Sequence, residues 1–178
     1  MSRTVFKSSM VVALGAWLAG CGVTQSVTDS TTSAASSIFY KQVKTLHLDF
    51  SGRASLNVDG ADMNALSVAT LVRVYQLSDN KVLEKATYDS LLSHDDRLLS
   101  AVLLDKRTLV VKPGEGAQLS VPLDNNARSV AVVALFRQPD SQLKTWRLTL
   151  TRDDLDPDRA RVIELADNLL TLRPLAKD

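Results

Sequence analysis

The chain has 178 residues, with 21 Lys and Arg against 20 Asp and Glu. That length suits one domain of ordinary size, and 45% hydrophobic with 23% charged residues excludes wholesale disorder. A formal net charge of +1 leaves no basic surplus to hold nucleic acid.

Cys21 is the single cysteine, so no internal disulfide and no Cys-based metal cluster can form. His47 and His94 are the only histidines, which leaves few groups for acid/base work near neutral pH. Composition points away from an enzyme.

The chain opens with Arg3 and Lys7, then runs through the apolar stretch Met10 to Ala19 to small residues, the layout of a secretory signal. No charge occurs between Lys7 and Asp29, but the half from Cys21 to Thr28 is too polar for a membrane-spanning helix, which needs about 20 mostly apolar residues. Residues 24–37 are almost all small and polar and bury too little to order themselves, so they read as a flexible tether. The expected organisation is a signal peptide over residues 1–20, an anchor and tether over 21–39, and a folded domain over 40–178.

Leu18-Ala19-Gly20-Cys21 resembles the lipobox of bacterial lipoproteins. The resemblance implies a diacylglyceryl group on the Cys21 thiol, cleavage before Cys21 and acylation of its new amine. The only non-protein group expected is thus covalent lipid, with no cofactor. A thiolate is a good nucleophile for that alkylation, and several acyl chains anchor stably where one is marginal. Gly22 follows, not the Asp associated with inner-membrane retention, so the resemblance places the protein at the outer membrane, facing the periplasm. Loss of residues 1–20 removes Arg3 and Lys7 and leaves 19 basic to 20 acidic residues, unsuited to long-range steering of a charged ligand.

The body is patterned with period two. Leu46, Leu48 and Phe50 alternate with polar residues, and Leu71 to Leu77 forms a β-branched run. Leu109 to Val111 and Gln118 to Leu123 flank the turn Pro113-Gly-Glu-Gly116, predicting a hairpin over 107–123. Ser129 to Phe136 is nearly all apolar, as in a strand buried on both faces. Trp146 to Thr151 alternates, and Arg161 to Leu165 and Leu169 to Leu172 flank a second hairpin turn at Ala166-Asp-Asn168. Between residues 87 and 103 the apolar spacing becomes helical, with Thr87 as N-cap, predicting one or two inserted helices. Seven or eight short strands with turn signals predict an all-β, antiparallel sandwich.

Catalytic and metal motifs are weak. Asp154, Asp156 and Asp158 mimic positions 1, 3 and 5 of a calcium loop, but Arg159 replaces the turn glycine and Leu165 the bidentate Glu, so a solvated loop is expected. Neither histidine has a second ligand at metal spacing. No nucleophile elbow or phosphate loop is present.

The order and spacing of Leu56-Asn57, Val72 to Leu77, Tyr88 with Leu91, Val111 to Glu115, Val130 to Arg137 and Trp146-Arg147, behind a lipobox, resemble the outer-membrane lipoprotein of the type VI secretion system, the TssJ/SciN family. Where that family commonly has a Pro before the Val-Arg-Val-Tyr strand, this chain has Ser67-Val-Ala-Thr70. The resemblance implies a transthyretin-like sandwich without catalysis. It would hold the periplasmic part of an inner-membrane protein (TssM-like) and bind no small-molecule substrate. The contact would fall on the loop after the first strand, at Asn57, Val58, Asp59, Asp62, Met63, Asn64 and Leu66. Read by themselves, Met63 and Leu66 are apolar residues in a stretch with no clear period, either folded onto the sandwich edge or offered to a partner. The rivals are a ligand-binding or carrier lipoprotein, which needs an apolar cavity, and an envelope hydrolase, which needs His, Asp and Ser brought together.

Overall fold

The alternation of Leu46, Leu48 and Phe50 becomes the inward face of a twelve-residue strand, because successive side chains of a strand point to opposite faces. The computed structural model describes residues 42–59 and 66–175. The expected signal peptide, Cys21, the tether and loop residues Asp62, Met63 and Asn64 lie outside the described residues. The elements are β1 (Thr45–Leu56), β2 (Thr70–Leu77), α1 (Lys81–Lys85), α2 (Tyr88–Leu99), β3 (Leu103–Val111), β4 (Gly116–Pro122), β5 (Ser129–Leu135), β6 (Arg147–Thr151), a 3-10 turn (Arg152–Asp154), β7 (Arg161–Asp167) and β8 (Leu169–Leu172).

Two four-stranded sheets form the sandwich, ordered β4-β1-β7-β8 and β3-β2-β5-β6. Every pair is antiparallel except β1 with β7, which run parallel. The hairpin expected at Asp167–Asn168 is present as β7–β8. The hairpin expected over 107–123 is not. β3 pairs with β2 and β4 with β1, so Lys112 to Glu115 forms a corner between sheets. Gly114 takes φ +73° there, as the turn chemistry requires. The corner leans on Gly52, whose N–H donates to Glu115 O at 2.9 Å, and a Cβ on Gly52 would sit 2.4 Å from Lys112 O. The glycine admits a backbone that any side chain would exclude.

β5 is buried along nearly its whole length, as its sequence suggested. Val130, Val132 and Ala134 share the inner face with Val72 and Val74, whereas Ala131 and Val133 share the outer face with Tyr75 and Arg73. That outer face is covered by α2. Thr87 caps the helix, its Oγ1 accepting from Ser90 N–H while Ser90 Oγ accepts from Thr87 N–H. α2 bends at His94 (φ −144°, ψ 32°), so two helical segments are joined there. α1 lies upstream of the stretch predicted helical, and Leu103, expected in the helix, begins β3 instead.

Three contacts fasten the helices. The Arg147 guanidinium donates to the carbonyls of Leu83, Glu84 and Ala86 at the end of α1. Tyr88 stands edge-on to Trp146, ring centroids 5.2 Å apart, and its hydroxyl donates to Phe136 O at 2.6 Å. Further along α2, buried Asp95 accepts from Tyr75 Oη at 2.8 Å and pairs with Lys106 at 2.7 Å and Arg73 at 3.2 Å.

The sandwich has two ends. At one, Gln42–Lys44 leads into β1 beside the β4–β5 and β6–β7 connections. At the other lie the β1–β2, β5–β6 and β7–β8 connections and the Pro113 corner.

Candidate functional site

The loop after β1 begins with a residue that few side chains could replace. Asn57 has φ +54°, a left-handed conformation that Asn tolerates and most residues do not. It is only 2% exposed, so it faces inward, although the sequence placed it among the contact residues. Its N–H donates to Asp167 O, and its Oδ1 accepts from the backbone N–H of Arg137 at 2.7 Å. The next carbonyl, Val58 O, accepts from Asn168 Nδ2 at 2.8 Å. Asp59 then lies 3.4 Å from the Arg137 guanidinium. Three consecutive residues are thus held by the β5–β6 and β7–β8 connections.

The return of the loop is tied back to its own strand. Val68 N–H donates to Leu56 O at 3.2 Å, and Ser67 Oγ donates to Ala54 O at 2.6 Å. Just before it, Leu66 is 62% exposed, an apolar side chain presented to solvent rather than folded onto the sandwich. Of the loop residues singled out in the sequence, the described ones thus divide: Asn57 inward, Val58 and Asp59 half-buried, Leu66 outward.

Sequence reasoning missed the neighbours. Asp140 Oδ1 accepts from the N–H groups of Gln142 and Leu143 at 2.8 Å each, and Lys144 closes that turn at φ +53°. The turn leaves Leu143 76% exposed. Thr145 O accepts from Leu170 N–H at 2.8 Å, joining the turn to the β7–β8 hairpin, where Leu169 is also exposed. The only sequence signal was an apolar residue inside a polar turn, too common to weigh by itself.

The remaining candidates sit apart. His47 is on the outer face of its sheet, its Nδ1 3.1 Å from Ser120 Oγ on β4. His94 is exposed at the bend of α2. In the acidic run, Asp154 accepts from the Thr151 N–H and hydroxyl, and Asp156 accepts from the N–H groups of Asp158 and Arg159. These local bonds hold both carboxyls below their ordinary range.

The Asp95 cluster is charged and buried but closed by its own partners. Burial pushes Asp95 up, yet the hydrogen bonds from Lys106 and Tyr75 and the charge of Arg73 outweigh it, and its carboxyl stays below the usual value. Burial, and then Asp95, push the Tyr75 hydroxyl above the ordinary range. The chemistry is that of a clamp between helix and sheet. An open cleft of about 460 Å³ lies where β3 and β4 part, walled by Gln76, Asp105, Arg107, Asp124 and Asn125 beside Leu104. A lipid carrier requires apolar walls, and these are largely polar.

Residues 44–168 match the family described as Type VI secretion lipoprotein (VasD, EvfM, TssJ). No curated protein matches. A chain of the solved structure described as T6SS protein TssM C-terminal domain (869-1107) from EAEC is 35% identical, with 75% of this chain and 100% of that chain covered and a TM-score of 0.67. A chain of a Type VI membrane complex is 38% identical over the same shares, with a TM-score of 0.70. The T6SS lipoprotein TssJ1 from Pseudomonas aeruginosa, 22% identical with 75% of this chain and 98% of that chain covered and a TM-score of 0.60, shares the fold. The chain belongs to the family of type VI secretion lipoproteins.

Proposed function

We propose that this protein is a non-catalytic docking lipoprotein, fixed to the outer membrane through acylated Cys21. In this reading its β1–β2 loop end holds the periplasmic part of a TssM-like inner-membrane protein. The observation that carries the reading is the 35% identity to a chain in a structure described by the TssM C-terminal domain. That chain is covered from end to end by 75% of 178 residues, too few for a segment numbered 869-1107, so it accompanies the segment rather than being it.

The architecture supports the same reading. Gln42–Lys44 reaches the sandwich at one end, and β1 then runs 12 residues, roughly 35–40 Å at ~3.3 Å per residue, to the docking loop at the other. The chain thus enters the domain at the end opposite this loop, as expected of a body anchored upstream that presents its loops to a partner. Confinement at a surface raises their effective concentration toward a partner rooted in the opposite membrane.

Two measurements test the proposal. Labelled palmitate enters the wild type, and Cys21→Ser removes both the label and sedimentation with outer membrane. The full chain in detergent binds the periplasmic domain of the inner-membrane partner, and Met63→Asp with Leu66→Asp weakens that binding about thirtyfold or more, with an unchanged melting temperature. Label retained by the serine variant, or wild-type affinity in the double variant, refutes the anchor or the loop respectively.

A further inference from the structure

The turn between β5 and β6 is held by its own backbone. Asp140 Oδ1 accepts from the N–H groups of Gln142 and Leu143, Asp140 O accepts from Lys144 N–H at 2.9 Å, and Lys144 O accepts from Arg147 N–H at 3.2 Å. Lys144 keeps a left-handed φ of +53°, which Gly or Asn adopts more easily. None of these bonds uses the side chain of residue 143. The turn needs a carboxylate at 140 and N–H groups after it, so a polar residue at 143 would serve the fold as well. The position instead carries Leu143, the most exposed large hydrophobic side chain among the described residues. A lone surface leucine means little, but Leu143 has company. Thr145 O accepts from Leu170 N–H, which sets the turn against the β7–β8 hairpin and its exposed Leu169. That hairpin is fixed too: Asp167 O accepts from Asn57 N–H, and Asn168 donates to Val58 O. Gln142, Lys144 and Asn168 flank the two leucines along the chain, giving an apolar pair among polar neighbours, the make-up of an interface centre.

We propose that Leu143 and Leu169 form an apolar anchor that the periplasmic part of the TssM-like protein covers with apolar side chains of its own. The proposal rests on the docking role given above and adds the β5–β6 turn and the β7–β8 hairpin to that contact. Both leucines stand on backbone that is already bonded, so covering them costs little ordering entropy. Two leucines offer far too little area for a stable dimer of this chain, which buries about 1,200–2,000 Å². They suffice as one centre of a larger contact. The turn carries Asp140 beside Lys144, not the surplus of cations that holds a lipid surface. Apolar contacts of this kind act once the complex has formed, so their loss speeds dissociation and leaves association nearly unaltered.

The test titrates full-length chains in detergent with the purified periplasmic domain of the inner-membrane partner, reading association and dissociation rates, the sedimentation of each chain alone and its melting temperature. Leu143→Asp with Leu169→Asp should weaken binding on the order of tenfold, through faster dissociation and at an unchanged melting temperature. Leu143→Met with Leu169→Met keeps an apolar surface and should stay within about twofold of the wild type. If the Asp pair folds poorly, Leu143→Asp alone reads the same effect from the exposed turn. Wild-type dissociation in the Asp variants overturns the proposal, as does an equal loss in the Met pair. Self-association of the wild type that the Asp pair abolishes assigns the leucines to a second copy and overturns it too. The Met63→Asp, Leu66→Asp chain separates the two failures. If that chain loses binding while the Leu143, Leu169 variants keep it, the anchor is wrong and docking stands. If the wild type itself does not bind, the docking role falls and the anchor with it.

Discussion

The two ends of the sandwich are built differently. At the end where Gln42–Lys44 arrives, side chains close over backbone. The Arg152 guanidinium donates to Ala127 O at 2.7 Å, Asp124 O at 2.5 Å and Val43 O at 3.3 Å, and Arg161 reaches the carbonyls of Asp154 and Arg173. At the β1–β2 loop end the polar groups hold loops together, and apolar ones are left outside: Leu66, Val110, Leu143 and Leu169, between 37% and 76% exposed. Leu104 is exposed near the opposite end, and Leu92 along α2 between them. Leaving a leucine in water forgoes roughly 1.5–3 kcal/mol of burial. One end is stitched by side chains to backbone, and the other leaves apolar side chains in water, as the proposed docking role requires.

The largest expected effect breaks the β1–β2 loop end from within. Gly52→Ala forces a Cβ against Lys112 O and Val111. It should cost about 3 kcal/mol and lower the melting temperature by roughly 10 °C, checked by calorimetry. Arg152→Ala attacks the other end. Losing three carbonyl contacts should cost about 2–3 kcal/mol, while affinity for the partner, measured well below the transition, stays at the wild-type value. Equal losses of binding in both variants would mean that the ends are not separable.

A smaller effect is expected from α2, which runs from Tyr88 at the β1–β2 loop end to Leu99 near the other. Asp95→Asn should cost about 2 kcal/mol at neutral pH, discounted because Lys106 and Arg73 both reach water. The pH profile carries the sign. The folded pKa of Asp95 lies below the ordinary carboxylate value of 3.8, so its contribution is complete above that pH and lost as pH falls through the folded value. Lys106 is shifted upward from 10.5, burial opposing and the Asp95 and Asp96 contacts prevailing. Its contribution is complete below 10.5 and lost as pH rises through the folded value. Wild-type melting temperature should hold flat between about pH 5 and 9, and Asp95→Asn should lower the plateau and flatten the acid limb. The smallest effect sharpens the comparison at the surface. Leu143→Asp should weaken partner binding several-fold, with Leu104→Asp as the silent control from the opposite end, read by titration.

Much of this was legible beforehand, and the misses have physical causes. Thr87 was read as an N-cap because Thr can satisfy a free N–H at a helix start, and it does so in the structure. The β7–β8 turn was read from Asp167 and Asn168, residues that accept left-handed φ, and Asp167 has φ +49°. The corner at Pro113 was misread because Pro-Gly turns join strands of one sheet or of two with the same local chemistry. The Asn57 grip was invisible because its partners lie 80 and 110 residues away from those they hold.

What the sequence determined by itself is therefore periodic or local: which stretches are strands, which faces are apolar, where the helix is capped, and the lipobox that precedes them. These follow from side chains alternating along a strand and from bonds made within a few residues. The tertiary structure alone decided which sheet β3 and β4 join, with the corner between them packed closely on Gly52. It also decided that Asn57 turns inward while Leu66 and Leu143 turn outward. Those outcomes depend on close approaches between segments distant in the chain, and local pattern carries no record of them.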